Sequence, residues 1–283
     1  MHTIEFRQFA IASMACLLAP TNAYSLGFEI LAPHRAVYDL KLMDASERSG
    51  IDAVVGRIVY EVTGNECDGM SVRYRFVTSI TASGESYKTD QQTSTFESPD
   101  GKEFTFVTKS FVDERPESVV RGTAIRTSDG VKVDLVEPQE RELELPSAIF
   151  LSTHLIDIIK AGQAKERFLR RDIFDGSDQA DEVVASSTVI GDARIVHKPY
   201  EGETVSALGA LEGREAWPVT ISYYDRATGN SAESLPVYEA SFLLYPDGVT
   251  RNLTMRYPDY ALEGEISSLE LFEQTPCKSG GKQ

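Results

Sequence analysis

The stretch Ser71-Val72-Arg73-Tyr74-Arg75-Phe76 decides the fold. Its apolar side chains Val72, Tyr74 and Phe76 alternate with polar Ser71, Arg73 and Arg75. Successive side chains of a strand point to opposite faces, so this alternation predicts a half-buried strand of an antiparallel sheet. The same period recurs outward along the chain. Val131, Val133 and Leu135 alternate with Lys132 and Asp134. Val219, Ile221 and Tyr223 alternate with Thr220, Ser222 and Tyr224. Val249, Leu253, Met255 and Tyr257 are expected on one face, with Thr250, Asn252, Thr254 and Arg256 on the other. Val, Thr and Tyr dominate these runs, as pleated surfaces favour.

Asp-Gly pairs punctuate the runs at 68–69, 100–101, 129–130, 175–176 and 247–248. Glycine accepts the positive φ that tight hairpin turns require. Short turns between alternating runs predict a meandering sheet.

One segment breaks this rhythm. From Ser152 to Gly162, Leu155, Ile156, Ile158 and Ile159 follow helical spacing. Ser152 or Thr153 is a candidate cap for its start, and Gly162 for its end. Two placements fit: a plug in one opening of a curved sheet, or a linker packed outside it. The acidic, turn-rich segment Asp172–Glu182 reads as an exposed loop.

Three cysteines are present. Cys16 lies in a segment with the layout of a secretory signal peptide: Arg7, an apolar run from Phe9 to Ala19, Pro20, then small residues to Ala23. Residues 1–23 are therefore expected to be removed, leaving residues 24–283 as one domain. Acylation of Cys16 is a competing reading, but Ser13-Met14-Ala15 is a poor match to a lipoprotein box. The apolar run is too short to span a bilayer, and no later segment is long and apolar enough for a transmembrane helix. In an exported chain the remaining pair, Cys67 and Cys277, reads as a disulfide rather than two buried thiols. It would close a loop of about 210 residues. In the chain-entropy model that is worth at most roughly 5 kcal/mol.

The expected exported chain, roughly 260 residues, suffices for one large β domain. With 41% hydrophobic residues, the composition favours a packed core over wholesale disorder. The net charge of -16 argues against binding nucleic acid or anionic lipid surfaces.

Motifs that carry chemistry are missing from the sequence. It contains no G-x-S-x-G, H-E-x-x-H, C-x-x-C, P-loop or G-x-G-x-x-G string. Beyond residue 23 the histidines are His34, His154 and His197, isolated in sequence. His154, opposite Ile156 on the helix, reads as a satisfied or exposed side chain rather than a ligand. Counted from Asp175, a calcium loop would need Gly where Ala180 stands, so Asp172, Asp175, Asp178, Asp181 and Glu182 read as solvated charge. No catalytic residue, metal or cofactor is assigned. The 12 Tyr and 13 Phe read first as core packing, and second as the lining of a groove for an apolar ligand or peptide. Trp217, before Pro218, reads as a buried anchor.

Particular strings resemble the EipB family. They are Pro33-His34-Arg35-Ala36-Val37-Tyr38-Asp39-Leu40, Gly56-Arg57-Ile58-Val59-Tyr60-Glu61-Val62-Thr63-Gly64 and Cys67-Asp68-Gly69. Leu145-Pro146, Thr153-His154, Val189-Ile190-Gly191-Asp192-Ala193, Trp217-Pro218-Val219 and Tyr245-Pro246-Asp247-Gly248 follow in the same order. The resemblance covers nearly all of the chain after residue 23. It implies a periplasmic alphaproteobacterial protein associated with cell envelope integrity, of a family once grouped as a domain of unknown function. The implied fold is a β-spiral: a mainly β, extended and curved antiparallel sheet forming an open, broken barrel with one or two short helices. A disulfide of this family falls at Cys67 and Cys277. The family supplies no catalytic residues. The function expected is therefore non-enzymatic support of the envelope through an envelope or periplasmic protein partner. The alternative is a carrier of lipid, lipoprotein or peptide in the open groove.

Overall fold

The computed structural model describes residues 27–176, 179–225 and 235–277. The expected signal peptide, Cys16 and Asp178 lie outside the described residues.

The chain forms two meanders that share one sheet. The first runs through β1 (His34–Ala45), β2 (Ile51–Asn65), β3 (Gly69–Ala82), β4 (Glu85–Glu97), β5 (Glu103–Val112), β6 (Arg115–Arg126), β7 (Val131–Glu137) and β8 (Arg141–Leu145). Helix α1 (Leu151–Gln163) follows. The second meander is β9 (Phe168–Ile173), β10 (Val184–Ile190), β11 (Arg194–Ile195), β12 (Glu215–Tyr224), β13 (Tyr238–Leu244), β14 (Thr250–Arg256) and β15 (Tyr260–Leu271), with a short α2 (Val205–Leu208) before β12. The spatial order is β8-β7-β6-β5-β4-β3-β2-β1-β15-β14-β13-β12-β10-β9, with β11 beside β12. The antiparallel meander is the one the alternation predicts, and its extended, open form is the one the family resemblance implies. The two meanders join where β1 pairs with β15, from His34↔Leu271 to Ala45↔Tyr260.

Helix α1 takes the plug position. Ile156, Ile158 and Ile159 pack at once on Val62 and Met70 from the first meander and on Leu169, Ile190, Val219, Ile221 and Leu244 from the second. A helix packed outside the sheet would not touch both. Its ends differ from expectation. The N-cap position is Phe150, which has no capping side chain, and Ser152 and Thr153 lie inside the helix. Glu97, at the end of β4, supplies the cap instead. Its Oε2 accepts the Ser152 and Thr153 amides at 2.9 and 3.3 Å, and its Oε1 accepts the Thr153 hydroxyl. A buried helix start must satisfy its free amides, and a carboxyl group complements the positive end of the helix dipole.

Gly162 does not end the helix either, since α1 runs to Gln163. The left-handed residue is Lys165, φ 61°. The Lys165 and Glu166 amides then reach back to the Gly162 and Ala161 carbonyls. Gly162 is required for packing: a Cβ there would stand 2.9 Å from the Trp217 ring. Trp217 is thus a half-buried anchor of α1.

Two further expectations change. Val249 and Leu253 do not share a face. Asn252 is left-handed (φ 56°), and the β13–β14 register shifts between Ser241 and Leu243. This bulge sends Val249 into a cluster with Leu211, Ala216, Leu243 and Tyr245, while Leu253 packs on the cluster holding Met255 and Leu262. The segment 172–182 is not simply an exposed loop. Phe174 and Ala180, with Val183 just beyond, are buried in the cluster of Phe104, Phe106 and Phe150, where they pack on apolar side chains of β5 to β8.

Candidate functional site

Cys67 sits in the turn between β2 and β3, and Cys277 lies beyond β15. They form a disulfide with Cα atoms 5.7 Å apart, inside the range an unstrained bridge spans. Asn65 shapes the turn. Its Oδ1 accepts the Cys67 and Asp68 amides at 2.8 Å, and its Nδ2 donates to Asp68 at 2.9 Å. The C-terminal segment is also hung on the first residues of the domain. The Phe272 amide donates to the Pro33 carbonyl at 2.8 Å, and Gln274 Nε2 to the Glu29 carbonyl at 3.2 Å.

His34, His154 and His197 lie apart, on β1, on α1 and in the loop after β11. His34 Nδ1 lies 2.7 Å from the Ala32 carbonyl, and burial holds its pKa below the ordinary value. His197 is exposed. His154 departs from expectation: it is buried, burial pushes it down to about 4, and Nε2 has no partner among the described residues. It is therefore a neutral imidazole, and nothing in the sequence pattern marked it as such.

The aromatic residues are largely packed on one another. Tyr223, Tyr238, Tyr257 and Tyr260 form a row with centroid spacings of 5.6, 5.0 and 4.6 Å. Tyr223 and Tyr238 are direct cross-strand partners, and Tyr74 and Phe76 pack against this region from β3. Burial raises the pKa of Tyr74, Tyr223, Tyr238 and Tyr257, and pushes Tyr60 up to about 12. Between α1 and this region lies a cavity of about 230 Å³ lined by Tyr60, Val72, His154, Leu155, Ile221 and Phe242, among others. Sites for drug-sized ligands run from about 300 to 1,000 Å³, so this space suits a small group rather than a lipid.

A second polar cluster was missed by the sequence reading. β14 and β15 pair only from Leu253↔Gly264 to Arg256↔Ala261, and the segment 196–211 packs where they separate. There Arg251 grips Glu203 through two nitrogens, and both side chains are almost fully buried. Glu265 is buried beside them with Oε2 unpartnered among the described residues. Burial, then the charge of Glu203, pushes it up to about 7. A charge pair between distant segments leaves no local pattern.

Fold and clamp together define a class: an open, barrel-like β protein whose C-terminal segment is tied to the β2–β3 turn by a disulfide. The comparisons agree. A solved Brucella abortus structure, described as a β-barrel-like protein of domain of unknown function DUF1849, superposes with a TM-score of 0.81 at 38% identity, covering 86% of this chain and 99% of that one. The Cell envelope integrity protein EipB of Brucella abortus (strain 2308) is 38% identical over 251 residues, 88% of each chain. The EipB-like family model matches residues 27–273. The chain belongs to the EipB-like family.

Proposed function

We propose that this protein maintains cell envelope integrity from the periplasm, as a non-enzymatic component that acts by binding another envelope protein. The observation that carries the reading is the 38% identity to a protein named for envelope integrity, extending over 88% of both chains. The Cys67–Cys277 bridge fits an oxidising compartment, and the layout of residues 1–23 fits removal on export. On this reading residues 24–283 are a single domain. Among the described residues no helix is long and apolar enough to cross a membrane.

Binding to a protein is favoured over carriage of a lipid by two features. The cavity beside α1 is small, and among the described residues β8 pairs with β7 alone. The test is growth of a gene-deleted strain on bile detergent, with and without a plasmid carrying the gene. Sensitivity rescued by the plasmid supports the reading. Growth unaffected by the deletion contradicts it. Lipid that co-purifies in stoichiometric amount would replace the partner protein by a cargo.

A further inference from the structure

The two edges of the sheet are not alike. At the C-terminal end of β9 the chain covers its own edge: the Ile149 amide donates to the Asp172 carbonyl and the Phe174 amide to the Ile149 carbonyl, each at 2.9 Å. β8 pairs with β7 alone, from Leu135↔Arg141 to Val131↔Leu145, and makes no other strand contact among the described residues. Its exit is fixed by Pro146, which has no amide to donate.

The faces of β8 are also unlike. Leu143 and Leu145 are half-buried against the phenylalanine cluster. On the other side Glu140, Glu142 and Glu144 alternate and are exposed. Across the ladder Glu142 meets Asp134, and Glu144 meets Lys132 at 3.5 Å. Acidic groups therefore outnumber basic ones on this strip.

A row of glutamates could simply guard an edge against unwanted pairing. It certainly disfavours a second copy. Any antiparallel β8–β8 register that keeps the leucines on the core side sets glutamate against glutamate, and like charges directly opposite destabilise a ladder. The same row favours a strand carrying basic side chains at alternate positions, which would neutralise the strip while its backbone completes the ladder. We infer that β8 is a docking edge for an extended segment of a partner protein, with Lys or Arg on one face and apolar residues on the other. This rests on the reading that the protein acts by binding another protein.

The test uses the purified, disulfide-bonded protein, isotopically labelled, and two synthetic hexapeptides, Lys-Val-Lys-Val-Lys-Val and Glu-Val-Glu-Val-Glu-Val. The lysine peptide is expected to shift the amide signals of Arg141–Leu145 and of no other edge, more weakly as salt rises. The glutamate peptide is expected to bind at least about ten-fold more weakly. The triple variant Glu140→Lys, Glu142→Lys, Glu144→Lys changes only exposed side chains and should reverse the preference. No binding, binding elsewhere, or equal binding of the lysine peptide by the triple variant would overturn the inference. Such a failure with intact detergent rescue removes the docking edge and leaves the envelope role standing. Peptide binding with no rescue does the opposite.

Discussion

The two closures of this spiral are built differently. Where the chain's beginning and end meet, β1 and β15 share a long ladder, and the Cys67–Cys277 bridge reinforces it. On the far side, no ladder joins β8 and β9 among the described residues; a parallel bridge, Ile149↔Ile173, marks the approach. Side chains hold that side together. Phe104, Phe106, Phe150 and Phe174 stack and cross at centroid distances of 4.9 to 6.4 Å, and α1 fills the gap between the arms. One closure is backbone and covalent, the other is packing. A packed closure can leave an edge unpaired, and it is the more vulnerable to loss of a single side chain.

The largest test of this difference is Phe150→Ala. Phe150 is fully buried at the centre of the far cluster. Removing a buried aromatic ring costs about 3–5 kcal/mol, so urea unfolding should show a loss of that size. A loss below about 1 kcal/mol would mean the phenylalanines do not hold the far side.

Next comes Cys67→Ser. Losing a native disulfide typically costs about 2–5 kcal/mol, here with the sheet retained in circular dichroism. The native protein should run faster on a non-reducing gel than after reduction. Two free thiols in protein from the periplasm would contradict the tie.

Glu97→Ala sharpens the account of the plug. It strips the cap from α1 and should cost about 1–2 kcal/mol. Glu97→Gln, which keeps an acceptor and matches a carboxyl group that burial holds toward its neutral form, should recover part of the loss. Equal losses in both variants would mean that the cap needs a charge.

The smallest effect belongs to the β14–β15 gap, on the side of the strong closure. Glu265 titrates at about 7 in the folded protein, above the 4.5 of a free glutamate. A raised carboxyl pKa means the folded state binds the proton more tightly. Its contribution is therefore full below about 4.5 and is lost as pH rises through about 7. Glu265→Gln should flatten this part of the stability profile and raise stability above neutral pH by on the order of 1 kcal/mol. A wild-type profile that does not change on substitution would remove Glu265 from the account.

The sequence made the strands legible because one period-two rule, applied at Val72, Tyr74 and Phe76, holds wherever one face of a sheet is buried. The cysteine pair was legible by elimination once Cys16 was set aside. What stayed hidden was set by residues far apart in the chain. Glu97 caps a helix more than fifty positions later, because the plug lands beside the end of β4. Gly162 looks like a stop signal but is an indentation for Trp217. Asn252 carries a bulge that no alternation shows, and it splits Val249 from Leu253. His154 and Glu265 are ordinary polar residues by type, and only the folded packing buries them. The β8 glutamates were visible as charge, but their position on a free edge needed the topology.

Native-state hydrogen exchange tests the contrast between the closures most directly. Amides of β1 and β15 in their shared ladder should exchange only through global unfolding. Those of Arg141–Leu145 facing away from β7 should exchange by local opening, at least about a hundred-fold faster. Equal protection at β8 and at the β1–β15 ladder would contradict a sheet that is locked on one side and open on the other.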